Sequence, residues 1–376
     1  MKIFFCDNRL GGLLGFRTDV IRHFADQGHE VCLVVPPAVT DWDKIGFGES
    51  RGVRIIYVKM QPSGMNPVSD ARLFLQYLRI YRRERPDIVF NYTIKPNVYS
   101  SIAARMCGCR VVCMLAGLGY MFDGDNTLKR LGRWIYKCGL DKAEHVLVLN
   151  KMNYNKLRET GMVSDDRLLL LAGGEGVNLC RYARSEARFD GVTFLMVSRI
   201  LYDKGYMEFI EAAKIVKTKY PDVRFQLLGP LAYDSPMGVE KEKFEKDMAD
   251  NVVEYLGVSD DVPSIMGKED VVVVLPSKYR EGLNRSLMEA CAIGRPIITT
   301  DIPGCAETVC NGKNGFVIPP ASANDLAEAM IRFIRLPEAE KRDMASCSHE
   351  MAEKYFNVDD VVDVYEHIIR NTTMQG

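Results

Sequence analysis

The sequence predicts an α/β protein built from two doubly wound domains, each a parallel sheet with helices on both faces. Short apolar segments alternate with helical segments along the chain, which is the pattern of repeated β–α–β units. A glycine-rich stretch at 168–186 interrupts this alternation, and the pattern then starts again. The length of 376 residues also exceeds the size at which a single core normally stops growing. We therefore expect two Rossmann-like domains that face an interdomain cleft.

The first half begins with the apolar strand "KIFFC", followed by "DNRLGGLLGFR", which we expect to be a loop because of its glycines. Its strands are continuously apolar, as in sheets that are covered on both faces. We predict strands at 2–6, 30–37, 54–60, 87–93, 110–115 and 145–150, and helices at 18–28, 70–86, 98–108 and 154–161.

The second half repeats the alternation. We predict strands at 191–200, 222–230, 252–257, 270–277, 295–301 and 315–320, with helices at 205–221, 283–294 and 358–370. The predicted domains are 1–180, 181–355 and a helical tail at 356–376 that packs back on the first domain. No short-period repeat or low-complexity tract is visible.

Composition excludes several classes of protein. Hydrophobic residues make up 47% and charged residues 26%, as in ordinary globular proteins. The eleven cysteines show no C-x2-C spacing, so we expect reduced thiols, a cytoplasmic location and no metal site. The start "MKIFFCDNRL" turns polar after six residues, so no signal peptide is expected. No apolar run approaches the ~20 residues of a membrane span, so any membrane contact is expected to be peripheral.

Charge is distributed unevenly between the two halves. Residues 1–180 carry 25 Lys and Arg against 18 Asp and Glu, whereas the remainder carries 24 against 32. The segments 78–86 ("LRIYRRERP") and 128–142 ("LKRLGRWIYKCGLDK") mix basic with aromatic residues, a pattern that suits an anionic membrane surface. Two ordinary amphipathic helices are the alternative. A nucleic-acid face is less favoured because the second half is acidic.

The motif "SRILYDKG" at 198–205 follows the first strand of the second half. Arg199 and Lys204 are therefore expected at the carboxyl end of a strand, next to a helix N-terminus. Two cations and helix amides suit a diphosphate, whose charge needs neutralising. A solvated pair of surface charges is the alternative.

The motif "EGLNRSLMEA" at 281–290 also follows an apolar strand. The backbone amides of Gly282, Leu283 and Asn284 are expected to open a helix and bind ligand oxygens, with Glu281 beside them. Glu289 lies deeper in this helix among apolar residues, where a carboxylate is costly unless it is paired or bound to hydroxyl groups. A ribose diol and a neighbouring Lys or Arg are both suitable partners.

The glycines of "RLGGLLGFR" at 9–17 raise the possibility of a dinucleotide site. The spacing is G-G-x-x-G rather than G-x-G-x-x-G, and the second strand ends in "CLVVPP" without an acidic residue. Hydride transfer with a nicotinamide cofactor is therefore disfavoured. Gly11 and Gly12 either let the backbone approach an anion closely or form a turn.

Four motifs in order resemble a known family: "GHEV" (28–31), "SRILYDKG", "EGLNRSLMEACAIGRPIITTDIPGCAETV" (281–309) and "NGKNGFVIPP" (311–320). The chain resembles retaining GT-B glycosyltransferases of family 4, the glycosyl transferases group 1, over nearly its whole length. This resemblance implies a UDP-sugar donor and neither cofactor nor metal. It also implies catalytic roles for Arg199, Lys204 and Glu281, and ribose binding by Glu289. By the same resemblance, Gly12 is expected to contact the donor phosphate. Gly257 and Val258 are expected to contact the base.

One departure concerns the reacting sugar. Many family members carry a histidine after the strand written here "RVVCML", whereas this chain has Ala116. The segments "NYTIKPNVYSS" (91–101) and "AGLGYMF" (116–122) are similar to the subgroup that extends lipid-linked oligosaccharides in bacterial glycan pathways. This implies a saccharide acceptor on undecaprenyl diphosphate and a place on the inner face of the cell membrane. Lys95 is the candidate for the acceptor diphosphate, with a solvated lysine as the alternative.

Two other functions are compatible with part of this sequence. A nucleotide-sugar epimerase shares the architecture but needs acid–base groups around the sugar, and no histidine is suitably placed. A non-catalytic nucleotide-binding relative is disfavoured because Arg199, Lys204, Glu281 and Glu289 are all present. No carboxylate is placed as a covalent nucleophile, so we expect front-face attack in an ion pair with oxocarbenium character.

Overall fold

The computed structural model describes residues 1–37, 52–61, 66–117, 127–280 and 282–370. Its contacts divide the chain into two units, Met1–Glu175 with Val358–Gly376 and Gly176–Asn357. The chain therefore leaves the first unit after residue 175, where the sequence placed the boundary at 180, and it re-enters that unit at 358.

The first unit is built on a seven-stranded parallel sheet in the order β3-β2-β1-β4-β5-β6-β7. The chain runs outward from β1 to β3 on one side and from β4 to β7 on the other, which is the doubly wound arrangement. Its strands are β1 Lys2–Cys6, β2 Glu30–Val35, β3 Val53–Tyr57, β4 Ile88–Tyr92, β5 Arg110–Leu115, β6 His145–Val148 and β7 Leu168–Leu170.

Helices cover both faces of this sheet. Alternate strand residues belong to two separate cores, one packed against α3 to α6 and the other against α1, α2 and α13. The helices are α1 Leu10–Phe16, α2 Thr18–Asp26, α3 Pro67–Glu84, α4 Ser101–Met106, α5 Thr127–Leu140, α6 Lys151–Glu159 and α13 Val358–Arg370. A π-helical turn, Pro96–Ser100, precedes α4.

The second unit has a six-stranded parallel sheet in the order β10-β9-β8-β11-β12-β13. Its strands are β8 Thr193–Val197, β9 Arg224–Leu228, β10 Glu254–Tyr255, β11 Val271–Leu275, β12 Ile297–Thr300 and β13 Gly315–Ile318. Its helices are α7 Tyr206–Lys217, α8 Lys241–Ala249, α9 Val262–Met266, α10 Arg285–Ile293, α11 Ala323–Arg335 and α12 Glu338–Tyr355. The prediction of two parallel, doubly wound sheets is confirmed.

The predicted loop at 7–17 is wrong in part, because α1 begins at Leu10 and contains Gly11 and Gly12. Glycine disfavours helix by about 1 kcal/mol relative to alanine, but Leu10 and Leu13 are both buried against the sheet. Packing of these two leucines outweighs the glycine propensity. Helices α8, α9, α11 and α12 lie outside the predicted helices, whereas α5 falls on the basic, aromatic segment 128–142, for which an amphipathic helix is one of the two interpretations.

A buried arginine joins the loops at the amino-terminal side of the second sheet. Arg295 is fully buried and donates to the carbonyl oxygens of Met266, Glu186 and Gly267. Burial lowers the pKa of Arg295 to about 10. Carbonyl oxygens replace the water that a guanidinium normally binds, so one side chain holds three loops together.

None of the helices within the described ranges is long and apolar enough to cross a bilayer.

The end of α3 is attached to the sheet by a cluster of charges. Glu84 accepts from Lys2 at 2.9 Å and from Arg54 at 3.0 Å, and its side chain is 11% exposed. These hydrogen bonds, the one from Lys2 first, lower the pKa of Glu84 from its ordinary 4.5 to about 2. The stabilisation is therefore present above about pH 4.5 and is lost as the pH falls toward 2.

We expect Glu84→Gln to lower the free energy of unfolding by roughly 1–2 kcal/mol at neutral pH, after allowance for solvent screening. The difference from wild type should shrink as the pH falls from 4.5 toward 2, because both proteins then lack the charge. Urea unfolding at several pH values measures this. The matched control is Glu159→Gln on the exposed side of α6; a pH-independent loss in Glu84→Gln would contradict the charge mechanism.

Candidate functional site

The carboxyl ends of β8 and β11 lie side by side where the strand order of the second sheet reverses. From β8 the chain continues to Arg199, and from β11 it continues through residues 276–284 into α10. In parallel α/β sheets ligands bind in the crevice at such a reversal. The motifs around Arg199 and before α10 therefore share the edge of the sheet at which a ligand is expected.

Two backbone contacts tie these loops together. The Asp203 carbonyl oxygen accepts from the Lys278 amide at 2.7 Å and from the Ser277 hydroxyl at 3.3 Å. Gly205 adopts φ +85°, and a Cβ at this position would lie 2.1 Å from the Pro276 carbonyl oxygen. Only glycine permits this approach, so the segment that carries Lys204 is held directly against the loop that leads to α10.

The two predicted cations lie on this edge in different surroundings. Arg199 is exposed, whereas Lys204 is half-buried. The Lys204 ammonium lies 5.9 Å from the centroid of the Tyr279 ring, within cation–π range. Sequence reasoning missed Tyr279, because nothing in its local pattern shows that it meets a lysine 75 positions earlier.

The start of α10 is capped by Asn284. Its side-chain oxygen accepts from the Leu287 amide at 3.2 Å, and its own amide donates to the Gly304 carbonyl oxygen at 2.8 Å. Asn284 is thus engaged within the fold, and its predicted contact with a ligand stays a prediction. Gly282 and Leu283 lie half-buried just before the cap. Glu281 lies outside the described residues.

Glu289 faces two donors inside the second unit. It accepts from Arg285 Nε at 2.8 Å, and Tyr182 also hydrogen-bonds to it. Burial is the main cause that raises the pKa of the Tyr182 phenol well above its ordinary range, and the Glu289 carboxylate raises it further. The phenol therefore remains a neutral donor. A neighbouring arginine, one of the two partners that the sequence suggested for Glu289, is therefore present. An ionised carboxylate has about four acceptor positions, which leaves capacity for ribose hydroxyl groups.

The edge continues to β10. Gly257 has φ +76°, its carbonyl oxygen accepts from the Gly229 amide at 2.8 Å, and no atom lies within 4 Å of a Cβ built on it. Val258 is 67% exposed. Gly229 in turn approaches so closely that a Cβ would lie 2.0 Å from the Ser198 carbonyl oxygen. The predicted base-binding pair therefore lies on the same edge as Arg199.

In the first unit, Gly12 lies over a buried charged residue at the end of β1. A Cβ at Gly12 would lie 3.1 Å from Asp7 Oδ2, whereas Gly11 has open space. Arg17 donates to the Gly12 carbonyl oxygen at 3.0 Å and lies 3.3 Å from the Asp7 carboxylate. Arg17 also pairs with Glu175. Burial raises the pKa of Asp7 although Arg17 acts in the opposite direction.

Lys95 is not a solvated lysine. It is 8% exposed and its ammonium lies 2.8 Å from Asp70 Oδ1. Thr93, two positions before it, has φ +66°, a strained conformation for a β-branched residue. Because the Lys95 charge is already neutralised by Asp70, the structure gives no independent support to its contact with an acceptor diphosphate, which stays a prediction.

Ala116 follows β5 directly and is exposed. Residues 118–122 of the same motif lie outside the described residues. Within the described part of the chain, no three His, Cys, Asp or Glu side chains are grouped so that they can hold a metal ion.

Two family models match the chain. The model described as glycosyl transferases group 1 matches residues 183–347. The model described as a glycosyl transferase 4-like domain matches residues 11–174. Each match falls within one unit, and together they span most of the chain.

Known glycosyltransferases are similar to this chain over most of its length. The N,N'-diacetylbacillosaminyl-diphospho-undecaprenol alpha-1,3-N-acetylgalactosaminyltransferase of Campylobacter jejuni is 25% identical over 87% of this chain and 88% of its own. The UDP-Gal:alpha-D-GlcNAc-diphosphoundecaprenol alpha-1,3-galactosyltransferase of Escherichia coli is 24% identical over 74% of each chain. The crystal structure of Anabaena Alr3699/HepE in complex with UDP superimposes with a TM-score of 0.79 at 18% identity, covering 99% of this chain and 100% of that one. The fold is therefore that of GT-B enzymes.

Gly205 offers a test of the contact between the two loops. We expect Gly205→Ala to destabilise the second unit by more than 3 kcal/mol, from about 1–2 kcal/mol for the left-handed backbone and the rest from the collision with Pro276. The matched control is Gly257→Ala, which has a similar backbone angle but open space around its Cβ. Chemical denaturation measures both. Equal losses in the two variants would show that the close approach is not required.

Proposed function

Because this chain belongs to the glycosyl transferases group 1 family and is a glycosyltransferase, we propose that it moves a sugar from a UDP-sugar to a saccharide carried on undecaprenyl diphosphate. The transfer retains the anomeric configuration and requires no metal. The proposed place of this step is bacterial surface-polysaccharide or glycan biosynthesis, which the undecaprenyl-diphosphate-linked acceptors named for the relatives from Campylobacter jejuni and Escherichia coli support.

The observation that carries the proposal is the convergence of Arg199, Lys204 and the start of α10 on one edge of the second sheet. A nucleoside diphosphate leaving group develops negative charge as the glycosidic phosphate bond breaks. Two cations and the positive end of a helix stabilise that charge. Glu289 holds the ribose, and the exposed backbone at Gly257 and Val258 frames the base.

The reaction is a substitution at the anomeric carbon of the donor sugar. The acceptor hydroxyl oxygen forms the new bond to this carbon on the face from which the diphosphate departs. The bond between the carbon and the phosphate oxygen breaks, and the departing phosphate takes the acceptor proton. This route needs no protein base, which is consistent with Ala116 in place of the family histidine.

The proposed location is the cytoplasmic side of the cell membrane, with the protein bound peripherally. Two features support it: the lipid-linked acceptors named for the two relatives and the basic first half of the chain. Undecaprenyl chains remain in the bilayer, so an enzyme that acts on them works at its surface.

The donor class can be tested by calorimetric binding of UDP, ADP, GDP and NAD. We expect UDP to bind most tightly and Glu289→Ala to weaken it by about 1.5–3 kcal/mol, because a charged acceptor of the ribose is lost. Glu338→Ala, on the exposed end of α12 in the same unit, serves as the control. Thermal unfolding of each variant separates lost binding from lost folding. Preference for another nucleotide, or unchanged UDP affinity in Glu289→Ala, would contradict the assignment.

The transfer itself can be tested with UDP-sugars and a synthetic polyprenyl-diphosphate saccharide. We expect Lys204→Ala to lower kcat by about 10²–10³, as is typical when one group that stabilises transition-state charge is removed. Lys214 lies on α7 and pairs with Asp250, so Lys214→Ala is the control and should leave kcat unchanged. Proton NMR of the product reports the anomeric configuration. Inversion, a trapped glycosyl–enzyme adduct, or sugar turnover without an acceptor would each refute part of this mechanism.

A further inference from the structure

Two protein donors hold the Glu289 carboxylate. Arg285 Nε lies 2.8 Å from Glu289 Oε1, and the Tyr182 phenol donates a second hydrogen bond to the same carboxylate. Tyr182 is 5% exposed and Glu289 is 8% exposed, so both groups are largely withdrawn from solvent. The orientation of the carboxylate is therefore set by the protein itself.

Each of these donors is fixed by further contacts. Arg285 directly follows the Asn284 cap of α10, and its Nη1 donates to the Gly176 carbonyl oxygen at 2.5 Å. Tyr182 packs in the core of the second unit, and its backbone amide donates to the Asn178 carbonyl oxygen at 2.9 Å. Two donors anchored in this way keep the carboxylate oxygens in one arrangement, which is the preorganisation that selective recognition requires.

The acceptor positions that remain on Glu289 match a ribose. An ionised carboxylate has about four acceptor positions. Arg285 and Tyr182 occupy two of them, which leaves two for a ligand. A ribose offers two neighbouring hydroxyl groups, at C2′ and C3′, whereas a 2′-deoxyribose offers one. With a deoxyribose, one acceptor position of a carboxylate with little access to water stays unpaired, and this costs free energy.

We propose that Arg285 and Tyr182 are positioning residues that restrict the donor to ribonucleotide sugars and exclude deoxythymidine diphosphate sugars. They act on the ribose through Glu289. The inference rests on the proposed function, since it requires Glu289 to bind the ribose of the donor, and it adds the class of nucleotide that the site rejects. An ion pair four positions apart on one helix that only stabilises α10 is the alternative. Such a pair does not distinguish the two sugars.

Calorimetric titration of the full chain with UDP, 2′-deoxy-UDP and 3′-deoxy-UDP measures the selectivity. We expect each deoxy analogue to bind about 10–100-fold more weakly than UDP, because a buried acceptor loses its donor. GDP and 2′-deoxy-GDP repeat the comparison, so the selectivity for the sugar is measured whichever base the site prefers. Equal binding of the ribose and deoxyribose forms to the wild type would overturn the inference.

Three variants test the two positioning residues. Tyr182→Phe removes only the phenol oxygen and keeps the ring, and Arg285→Ala removes the other donor. We expect the ratio of UDP affinity to 2′-deoxy-UDP affinity to fall toward one in both, because a carboxylate with one donor can rotate. Arg285→Lys keeps the charge beside Glu289 but not the planar fork that also reaches Gly176. It should recover folding stability and only part of the selectivity.

Matched controls come from α12 of the same unit. Tyr355→Phe changes an exposed tyrosine, and Arg342→Lys changes an exposed arginine that pairs with Glu338 four positions earlier. Both controls should keep the affinity ratio of the wild type. Thermal unfolding of every variant accompanies the titrations, and a lower ratio at an unchanged melting temperature supports the positioning role.

The outcomes separate this inference from the proposed function. If no nucleoside diphosphate binds the wild type, the proposed function fails and the inference fails with it. If UDP and its deoxy analogues bind equally well, the inference fails alone. If the wild type discriminates and Tyr182→Phe and Arg285→Lys discriminate to the same degree, the selectivity arises elsewhere and the two positioning roles are wrong.

Discussion

The parallel pairing of β8 with β11 is the contact on which the geometry of the candidate site in the second unit depends. These strands are more than 70 positions apart in the chain, yet their register places both carboxyl ends at one edge. Gly205 then allows the turn after β8 to lie directly against the Pro276 backbone. A cation at a strand end and a helix start near residue 284 reach the same edge only through this pairing, because a parallel sheet puts all carboxyl ends on the same side.

A buried charge centre has a similar organising role in the first unit. The Arg17 guanidinium contacts Asp7 at the end of β1, the carbonyl oxygen of Gly12 in α1, and Glu175 at the last position before the chain leaves the unit. It also lies 4.1 Å from the centroid of the Tyr92 ring at the end of β4. The glycine-containing helix α1 and the exit of the chain are therefore held by the same side chain, and removing one member of the cluster leaves an uncompensated buried charge.

The internal partners of the candidate residues refine what those residues can do. Lys95 is neutralised by Asp70. The backbone amide and the side-chain oxygen of Asn284 both form hydrogen bonds within the fold. Glu289 differs from both, because its two internal donors orient the carboxylate and still leave acceptor positions. A carboxylate fixed in this way is better prepared to receive hydroxyl groups than a mobile one. Burial and pairing thus rank residues that the motifs alone treat as equal.

The sequence by itself determined the class of the fold, the two-unit organisation and the motifs at the strand ends, because continuous apolar strands and the order of motifs are local properties of the chain. For Glu289 it left two partners open, a ribose diol and a neighbouring Lys or Arg, and the structure supplies Arg285 at a spacing of four positions. Only the tertiary structure decided that Tyr182 joins that pair, that Tyr279 meets Lys204 and that α1 is a helix despite its glycines. These outcomes depend on contacts between residues far apart in the chain, and no local periodicity encodes which distant side chains will meet.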